Sequence, residues 1–268
     1  MIFRVLSLFD GISCGQVALE KLGITYEYYA SEIDEKSISI TQKRFPNTIQ
    51  IGDITKLTDK FLLSLGYFDL IIGGSPCQGF SPAGLKKGFA DPRSQLFYAF
   101  DRILKLLKPK YFLLENANMN AAYKDTITKA MNCEPYKINA AKVSAQNRVR
   151  NYWTNIPIDF PLEDQKITLD SIIGPYAGIW VYPRGFNKGG IQGYKQKCPC
   201  ITTSSWEHNF KIAGADKTLR KFTPEECEQV QGLPRDYTKE LSNSQRFKKI
   251  GNGWSVPVID YIFSFMIV

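Results

Sequence analysis

The chain has 268 residues, of which 44% are hydrophobic and 22% charged, with 34 Lys and Arg against 26 Asp and Glu for a formal net charge of +8. At roughly 150 residues per domain this length builds one to two domains whose core needs no disulfide or metal staple, and the composition excludes disorder and a fibre. The basic balance admits a polyanionic partner without requiring one, and no apolar run reaches the roughly 18 residues of a membrane span. Strand-like runs at residues 5–9, 26–30, 48–51, 68–72 and 111–114 alternate with helical patterns at 15–22, 35–44, 57–65 and 94–107. This βαβ rhythm predicts an α/β fold with a doubly wound, mostly parallel sheet covered by helices on both faces. Ligands of such sheets sit outside the carboxyl ends of the strands, so the residues just after each run are the first candidates for a site.

After the first run comes Phe9-Asp10-Gly11-Ile12-Ser13-Cys14, a turn in which Gly11 permits positive φ or close approach of a ligand. By itself it fits a plain strand-to-helix turn as well as a cofactor turn. The second run delivers Ser31-Glu32-Ile33-Asp34, where a carboxylate is available to ribose hydroxyls, and the third delivers Gly52-Asp53-Ile54. Acidic side chains at successive strand ends suit an uncharged adenosine better than a phosphate, and no phosphate-binding Gly-rich loop ending in Lys-Ser/Thr is present. That pattern favours S-adenosylmethionine over ATP or a dinucleotide. The fourth run ends in Gly73-Gly74-Ser75-Pro76-Cys77-Gln78-Gly79-Phe80-Ser81, which puts a cysteine on a Gly- and Pro-rich loop at the ligand edge. The fifth ends in Glu115-Asn116-Ala117, a partly buried carboxyl group available as a general acid.

Six cysteines, at 14, 77, 133, 198, 200 and 227, are too few and too irregular for a disulfide framework, and a reducing compartment is expected. Cys14 and Cys133 suit structural roles, and the spacing of Cys198 and Cys200 does not suit zinc, so no metal is expected. The one histidine, His208, leaves no alternative residue for any mechanism that needs an imidazole base.

Taken in order, Phe9-Asp10-Gly11, Ser75-Pro76-Cys77-Gln78, Glu115-Asn116, Gln146-Asn147-Arg148-Val149-Arg150 and Gly251-Asn252-Gly253-Trp254 resemble the motifs of the cytosine-5 DNA methyltransferases. A sixth stretch, Lys221-Phe222-Thr223-Pro224-Glu225-Glu226-Cys227 to Gln231-Gly232-Leu233-Pro234, agrees, and the resemblance covers nearly the whole chain. It is nearest to the eukaryotic de novo branch and its prokaryotic and phage relatives. The resemblance implies a Rossmann-like S-adenosylmethionine-dependent methyltransferase fold with a small target-recognition domain. It makes Cys77 the nucleophile, Glu115 the acid beside ring nitrogen 3, and Arg148 and Arg150 the arginines that hold the base and order the loop. On the cofactor side it implies Phe9, Asp10, Gly11, Ile12, Ser13 and Cys14 around methionine and adenosine, Glu32 and Ile33 at the second strand end, Asp53 and Ile54 at the adenine, and Gly74 and Pro76. Asn252, Gly253 and Trp254 would close the pocket from the far end of the chain, with residues 250–268 folding back. Ala117 stands where the family usually has Val, and Ser7 where many members have Asp; neither is a reacting group.

Residues 184–221 hold eight Lys or Arg and two acids, interleaved with glycines and aromatics, a composition that suits a nucleic-acid surface. Candidate DNA contacts are Gln78, Ser81, Arg184, Lys195, Lys197, Thr202 and Thr203. The expected organisation is a catalytic and cofactor-binding domain at 1–159, a target-recognition region at 160–222 and a return segment at 223–268 that completes the catalytic domain. The expected partner is double-stranded DNA, with a cognate restriction enzyme as a further candidate, in a prokaryotic or phage-encoded cytoplasmic protein. Rival readings are a catalytically silent DNA-binding regulator, against which the intact Cys77, Glu115, Arg148 and Arg150 argue, and an RNA cytosine-5 methyltransferase, whose Cys-Phe-Thr signature is absent. A Cys77–His208 hydrolase leaves the acidic strand ends unexplained, and a zinc deaminase would need a cysteine where Phe80 stands.

Overall fold

The structure is a computed structural model that describes residues 2–75, 95–183, 188–193, 195–203 and 210–267. Two compact units are present: residues 1–138, 149–160 and 260–268 form the first, and residues 139–148 and 161–259 the second.

In the first unit β1 (Phe3–Leu8), β2 (Tyr26–Ser31), β3 (Ile49–Gln50), β4 (Leu70–Gly73), β5 (Tyr111–Ala117), β6 (Tyr136–Asn139) and β7 (Val149–Thr154) make a sheet in the order β3-β2-β1-β4-β5-β7-β6. The pairs β1–β2, β2–β3, β1–β4 and β4–β5 are parallel and β5–β7 is antiparallel, the mostly parallel α/β arrangement expected from the sequence. Parallel strands must be covered on both faces, so β4 is buried throughout and β1 is buried at every residue but Arg4. Helices α1 (Cys14–Lys21), α2 (Glu35–Arg44), α3 (Asp59–Ser64), α4 (Gln95–Leu107) and α5 (Ala121–Met131) follow in turn. Along α4 the residues Phe97, Phe100, Ile103 and Leu107 recur at helical spacing and enter one core with Leu6, Leu8, Ile71, Leu114 and Trp153. Each such side chain contributes roughly 1.5–3 kcal/mol through burial. Gly73 ends β4 beneath this helix, where a Cβ would stand 2.9 Å from both the Leu8 carbonyl oxygen and the Phe100 ring. No larger residue fits there without moving the strand end.

The sequence pattern leaves α5, β6 and β7 unassigned, and β7 escapes because Arg150 and Asn151 interrupt its apolar run. Pairing with β7 also carries β5 three residues beyond the predicted end, so Glu115 and Asn116 lie inside the strand, opposite Tyr152 and Asn151. The last residues rejoin this unit: the Tyr261 hydroxyl donates to the Asp159 carbonyl, and the Ile267 N–H donates to the Tyr111 hydroxyl at 3.1 Å.

The second unit holds α6 (Asp170–Ile173) and an antiparallel sheet of β8 (Gly178–Val181), β9 (Gly190–Ile191), β10 (Phe210–Ala213) and β11 (Leu219–Arg220), ordered β11-β10-β8-β9. It continues through α7 (Pro224–Gln231) and α8 (Asn243–Asn252) into α9 (Val256–Phe263), along which the chain returns to the first unit. α7 starts at a Thr223–Glu226 capping box with Pro224 in its first turn, and stops at Gly232 with φ 79°. Beneath it Arg246 joins Glu225 at 2.5 Å and the fully buried Glu228 at 3.0 Å. By packing, residues 223–259 stay with the second unit, whereas the sequence reading groups 223–268 with catalysis. Buried bonds from Gln146 to Gln231 and from Arg148 to Gly253 account for that packing.

Candidate active site

Because β1, β2, β3, β4 and β5 run parallel, their carboxyl ends share one edge of the first unit's sheet. The turn after β1 is tightly wound: Phe9, Gly11 and Ser13 all have positive φ, near 60°. Amides of Phe9 and Asp10 donate to the Ser31 carbonyl at 2.9 and 3.3 Å, which ties the turn to the end of β2. Glu32, the next residue, completes the tie. Its carboxylate accepts from the Gly11 N–H at 2.7 Å on Oε2, and from the Ile33 and Asp34 N–H groups at 2.8 and 2.9 Å on Oε1. A carboxylate offers about four acceptor sites, so three amides leave one for a ligand hydroxyl. Ile33 beside it is 71% exposed, a large apolar face at the site edge.

Behind the turn lies a polar cluster that sequence reading missed. Asp10 accepts from the Ser13 hydroxyl on one oxygen and from the Tyr28 hydroxyl at 2.9 Å on the other. Ser13 in turn accepts from Gln16 and Thr41, both at 3.1 Å, and Gln16 reaches Thr48 at 2.9 Å. Burial pushes the Asp10 carboxyl from 3.8 up to about 6, opposed by hydrogen bonds from Ser13, Ser7 and Tyr28 and reinforced by the charge of Glu32. Burial likewise holds the Tyr28 phenol well above its ordinary value. Neither Gln16 nor Thr48 carries a local sequence signal, since their meeting depends on α1 lying beside the segment that leads into β3. Asp53 caps the short turn Ile54–Lys56, and bonds from the Thr55 amide and hydroxyl hold its carboxyl below the usual range. Ile54 is buried.

At the fourth strand end the buried Asn116 amide donates to the Ser75 hydroxyl at 3.1 Å and its carbonyl at 3.3 Å. Gly74 precedes Ser75, whereas Cys77, Pro76, Gln78 and Ser81 lie outside the described residues, as do Arg184 and His208. Opposite, the antiparallel register brings Arg150 against Ala117, and Arg150 Nε meets Glu115 Oε1 at 3.1 Å. The two side chains are 19% and 11% exposed, so the pair is shielded yet open at one side.

Within the second unit, Arg148 is 4% exposed. Its Nη1 donates to the Ile201 carbonyl at 2.9 Å and stands 3.4 Å from Cys200 Sγ, while Nη2 donates to the carbonyls of Gly253 at 2.8 Å and Gly251 at 3.3 Å. Asn252 is exposed, and Gly253 and Trp254 are half-buried. Lys195 and Thr203 are exposed and Thr202 half-buried. Lys197 is half-buried, with its ammonium on the Ser144 carbonyl at 3.0 Å and on that of Ile167; burial lowers its pKa.

The sequence model of the C-5 cytosine-specific DNA methylase family matches residues 3–171 and 120–267. The chain belongs to this family. It is a methyltransferase, 28% identical to the type II methyltransferase M1.ScrFI of Lactococcus lactis subsp. cremoris over 97% of this chain and 77% of that one. It is 29% identical to the type II methyltransferase M.NlaX of Neisseria lactamica over 96% of this chain and 94% of that one. It is also similar to the orphan methyltransferase M.SPRI of Bacillus phage SPR, with 34% identity over 90% of this chain and 55% of that one. A solved DNMT2 mutant from Spodoptera frugiperda shares the fold at TM-score 0.73 and 20% identity, covering 98% of this chain and 99% of that one. Entamoeba histolytica EhMeth shares it at TM-score 0.73 and 18% identity, covering 98% of each chain. The family implies S-adenosylmethionine, and the methyltransferase's first unit fits an adenosyl group: a Cβ at Gly11 would meet nothing within 4 Å, Glu32 retains an acceptor site, and Ile33 offers apolar surface. No helix among the described residues is long and apolar enough to cross a membrane.

Proposed function

We propose that this methyltransferase uses S-adenosylmethionine to methylate carbon 5 of a cytosine flipped out of duplex DNA, through a covalent adduct at Cys77. The observation that carries the reading is the Glu115–Arg150 pair at the end of β5, beside an Asn116 that anchors the strand end leading into Cys77. Carbon 5 of cytosine is a poor nucleophile, so the Cys77 thiolate adds to carbon 6 and raises electron density at carbon 5. Glu115 hydrogen-bonds or protonates ring nitrogen 3, assistance typically worth ~10²- to 10⁴-fold in rate. Arg150 holds both Glu115 and the base. Bound S-adenosylmethionine supplies the electrophilic methyl group and leaves as S-adenosylhomocysteine. A base then removes the proton from carbon 5, the bond from carbon 6 to sulfur breaks, and Cys77 is regenerated as thiolate. Since carbon 5 is buried in a stacked duplex, the nucleotide is extruded at a cost of a few kcal/mol, offset by contacts in the pocket.

For the cofactor, Phe9, Asp10, Gly11, Ile12, Ser13 and Cys14 would surround methionine and adenosine, Glu32 and Ile33 the ribose side, and Asp53 and Ile54 the adenine. Gly74, Pro76, Asn252, Gly253 and Trp254 are assigned to it by the resemblance. Gln78, Ser81, Arg184, Lys195, Thr202 and Thr203 are assigned to DNA, and Lys197 to bracing the segment that carries Lys195. The setting is the bacterial cytoplasm, with the protein encoded by the bacterium or by a phage, and a restriction enzyme is a candidate partner.

Duplex DNA bearing 5-fluorocytosine tests the reading, because fluorine cannot leave as a proton and the adduct persists. Incubation with S-adenosylmethionine should yield a denaturation-resistant complex through Cys77. Cys77→Ala should lose both the complex and methyl transfer while still binding duplex. Trapping that survives the substitution refutes the assignment.

A further inference from the structure

The antiparallel sheet of the second unit has two faces that differ in kind, and its register sorts them. Residues directly opposite one another in an antiparallel ladder share a face, as do residues two apart along a strand. Ile179 lies opposite Ile212 and Val181 opposite Phe210. On this inner face Ile179, Ile212 and Phe210 are buried, and the Phe222 ring stands 4.9 Å from that of Phe210. On the other face Trp180 lies between Lys211 and Ile191, and Leu219 lies opposite Ala213. Tyr182, two residues beyond Trp180, continues that face with its ring against the indole.

A solvated face of an antiparallel sheet is ordinarily polar. This one carries Ile191 at 48% and Leu219 at 41% exposure, with Trp180, Tyr182 and Lys211 half-buried between them. The two aromatic rings stand edge to face, with centroids 4.4 Å apart. Lys211 Nζ lies 5.3 Å from the Trp180 centroid and 5.7 Å from that of Tyr182, so cation–π attraction holds the ammonium at the rings. No Asp or Glu occurs in the four strands. Exposed Lys188, Lys217 and Lys221 flank them. Asp216, in the turn between β10 and β11, has its Oδ1 taken by the Thr218 amide at 3.0 Å and hydroxyl at 2.6 Å.

We propose that this face binds single-stranded DNA, with unpaired bases stacking on Trp180 and Tyr182 and a phosphate meeting Lys211. Charge and shape choose the occupant. An apolar protein surface is poorly matched to an ammonium fixed at the centre of the face, and a duplex keeps its base faces stacked inside, where the rings cannot reach them. A nucleotide of a single strand offers a π-face and a phosphate one sugar apart, the two groups that the rings and Lys211 complement. Every base has such a face, so the site gives hold without sequence choice. Neither ring nor ammonium reads a 2′-hydroxyl, and the family is one of DNA methylases. All five side chains belong to the second unit, so the site is complete within it and does not rest on the methylation reading.

The test measures, by fluorescence anisotropy on the full chain, affinity for a labelled thymine-only strand, which holds no cytosine to methylate. Wild type should bind it. Trp180→Ala and Tyr182→Ala should each weaken binding about fivefold or more, whereas Trp180→Phe should keep most of it. Lys211→Gln should flatten the dependence of log affinity on log salt by about 0.7. No binding by wild type, or unchanged strand affinity in a folded Trp180→Ala, overturns the inference. So does an equal loss for the strand and for a thymine–adenine duplex, which makes the face a duplex surface, or tighter binding of a uracil-only RNA strand, which assigns it to RNA. A dimer that Trp180→Ala abolishes with strand affinity untouched gives the face to a second copy and overturns it as well. Photocrosslinking of a 4-thiothymidine strand to wild type decides the matter even if the variants do not fold. Adducts should map to the peptides that carry Trp180, Tyr182 or Lys211, and adducts confined to other peptides overturn the inference. Duplex methylation and trapping at Cys77 are separate readouts, so either reading can fail without the other.

Discussion

Asp10→Asn separates the electrostatics of the β1 turn from its packing. The Asp10 carboxyl, raised from 3.8 to about 6 by burial, binds its proton more tightly in the native state than in the unfolded chain. Below the unfolded value the group is neutral in both states and costs nothing; above about 6 it is charged in both, and the native state carries the full burial penalty. Native stability attributable to this group is therefore complete at low pH and lost as pH rises through the interval from 3.8 to about 6. At about 1.4 kcal/mol per pH unit, the loss amounts to about 3 kcal/mol. Asparagine is nearly isosteric and can turn its oxygen toward the Ser13 hydroxyl and its amide toward Tyr28, whose oxygen is able to accept, so the local hydrogen bonds persist. The assay is urea denaturation of both proteins, without ligand, from about pH 4 to about pH 8, where the difference between them isolates Asp10 from every other titrating group. Relative to wild type, the variant should gain about 2.4 kcal/mol of that total across this range, nearly all of it below about pH 7. A difference that stays constant with pH would show that Asp10 titrates normally, and one of opposite slope would mean that its native partners favour the carboxylate.

Glu32→Ala should weaken S-adenosylmethionine binding by roughly 1.5–3 kcal/mol, the order of a charge-assisted hydrogen bond, and equal affinity by calorimetry would exclude the contact at the second strand end. Glu115→Gln should lower the single-turnover methylation rate by ~10²- to 10⁴-fold with duplex affinity nearly unchanged. Arg150→Ala should additionally reduce stability by about 1–3 kcal/mol, because it removes the cation paired with the Glu115 carboxylate in a shielded site; a thermal scan that matches wild type contradicts this. Lys195→Gln should flatten the salt dependence of duplex binding by about 0.9 log unit if Lys195 holds one phosphate. Lys197→Gln should leave that slope alone and cost about 1–2 kcal/mol of stability instead, since its ammonium is already committed to the Ser144 and Ile167 carbonyls.

The sheet was legible in the sequence because a parallel strand covered on both faces reads as a largely apolar run, and 5–9, 68–72 and 111–114 are such runs, broken only at Ser7 and Asp69. Strand ends are likewise local features, so the Phe9-Asp10-Gly11 turn, Glu32, Asp53 and Glu115 could be singled out before any coordinate was known. What β7 does could not be read that way. Its polar opening residues look like a loop, yet its antiparallel register lengthens β5 and sets Arg150 beside Glu115, a relation between residues 35 positions apart that only pairing decides. The same holds for the cluster of Ser13, Gln16, Thr41 and Thr48, where each side chain is unremarkable until α1 and α2 pack. Arg148 shows the difference most directly. The Gln-x-Arg-x-Arg run marks both arginines alike, but alternation along an extended chain says nothing about which main-chain carbonyls will stand across from each. The fold sends Arg150 to a carboxylate at the sheet edge and buries Arg148 against the carbonyls of Ile201, Gly251 and Gly253. Charge and spacing are properties of the chain, whereas the partner of a buried charge is set by whichever backbone the rest of the molecule brings within 3 Å of it.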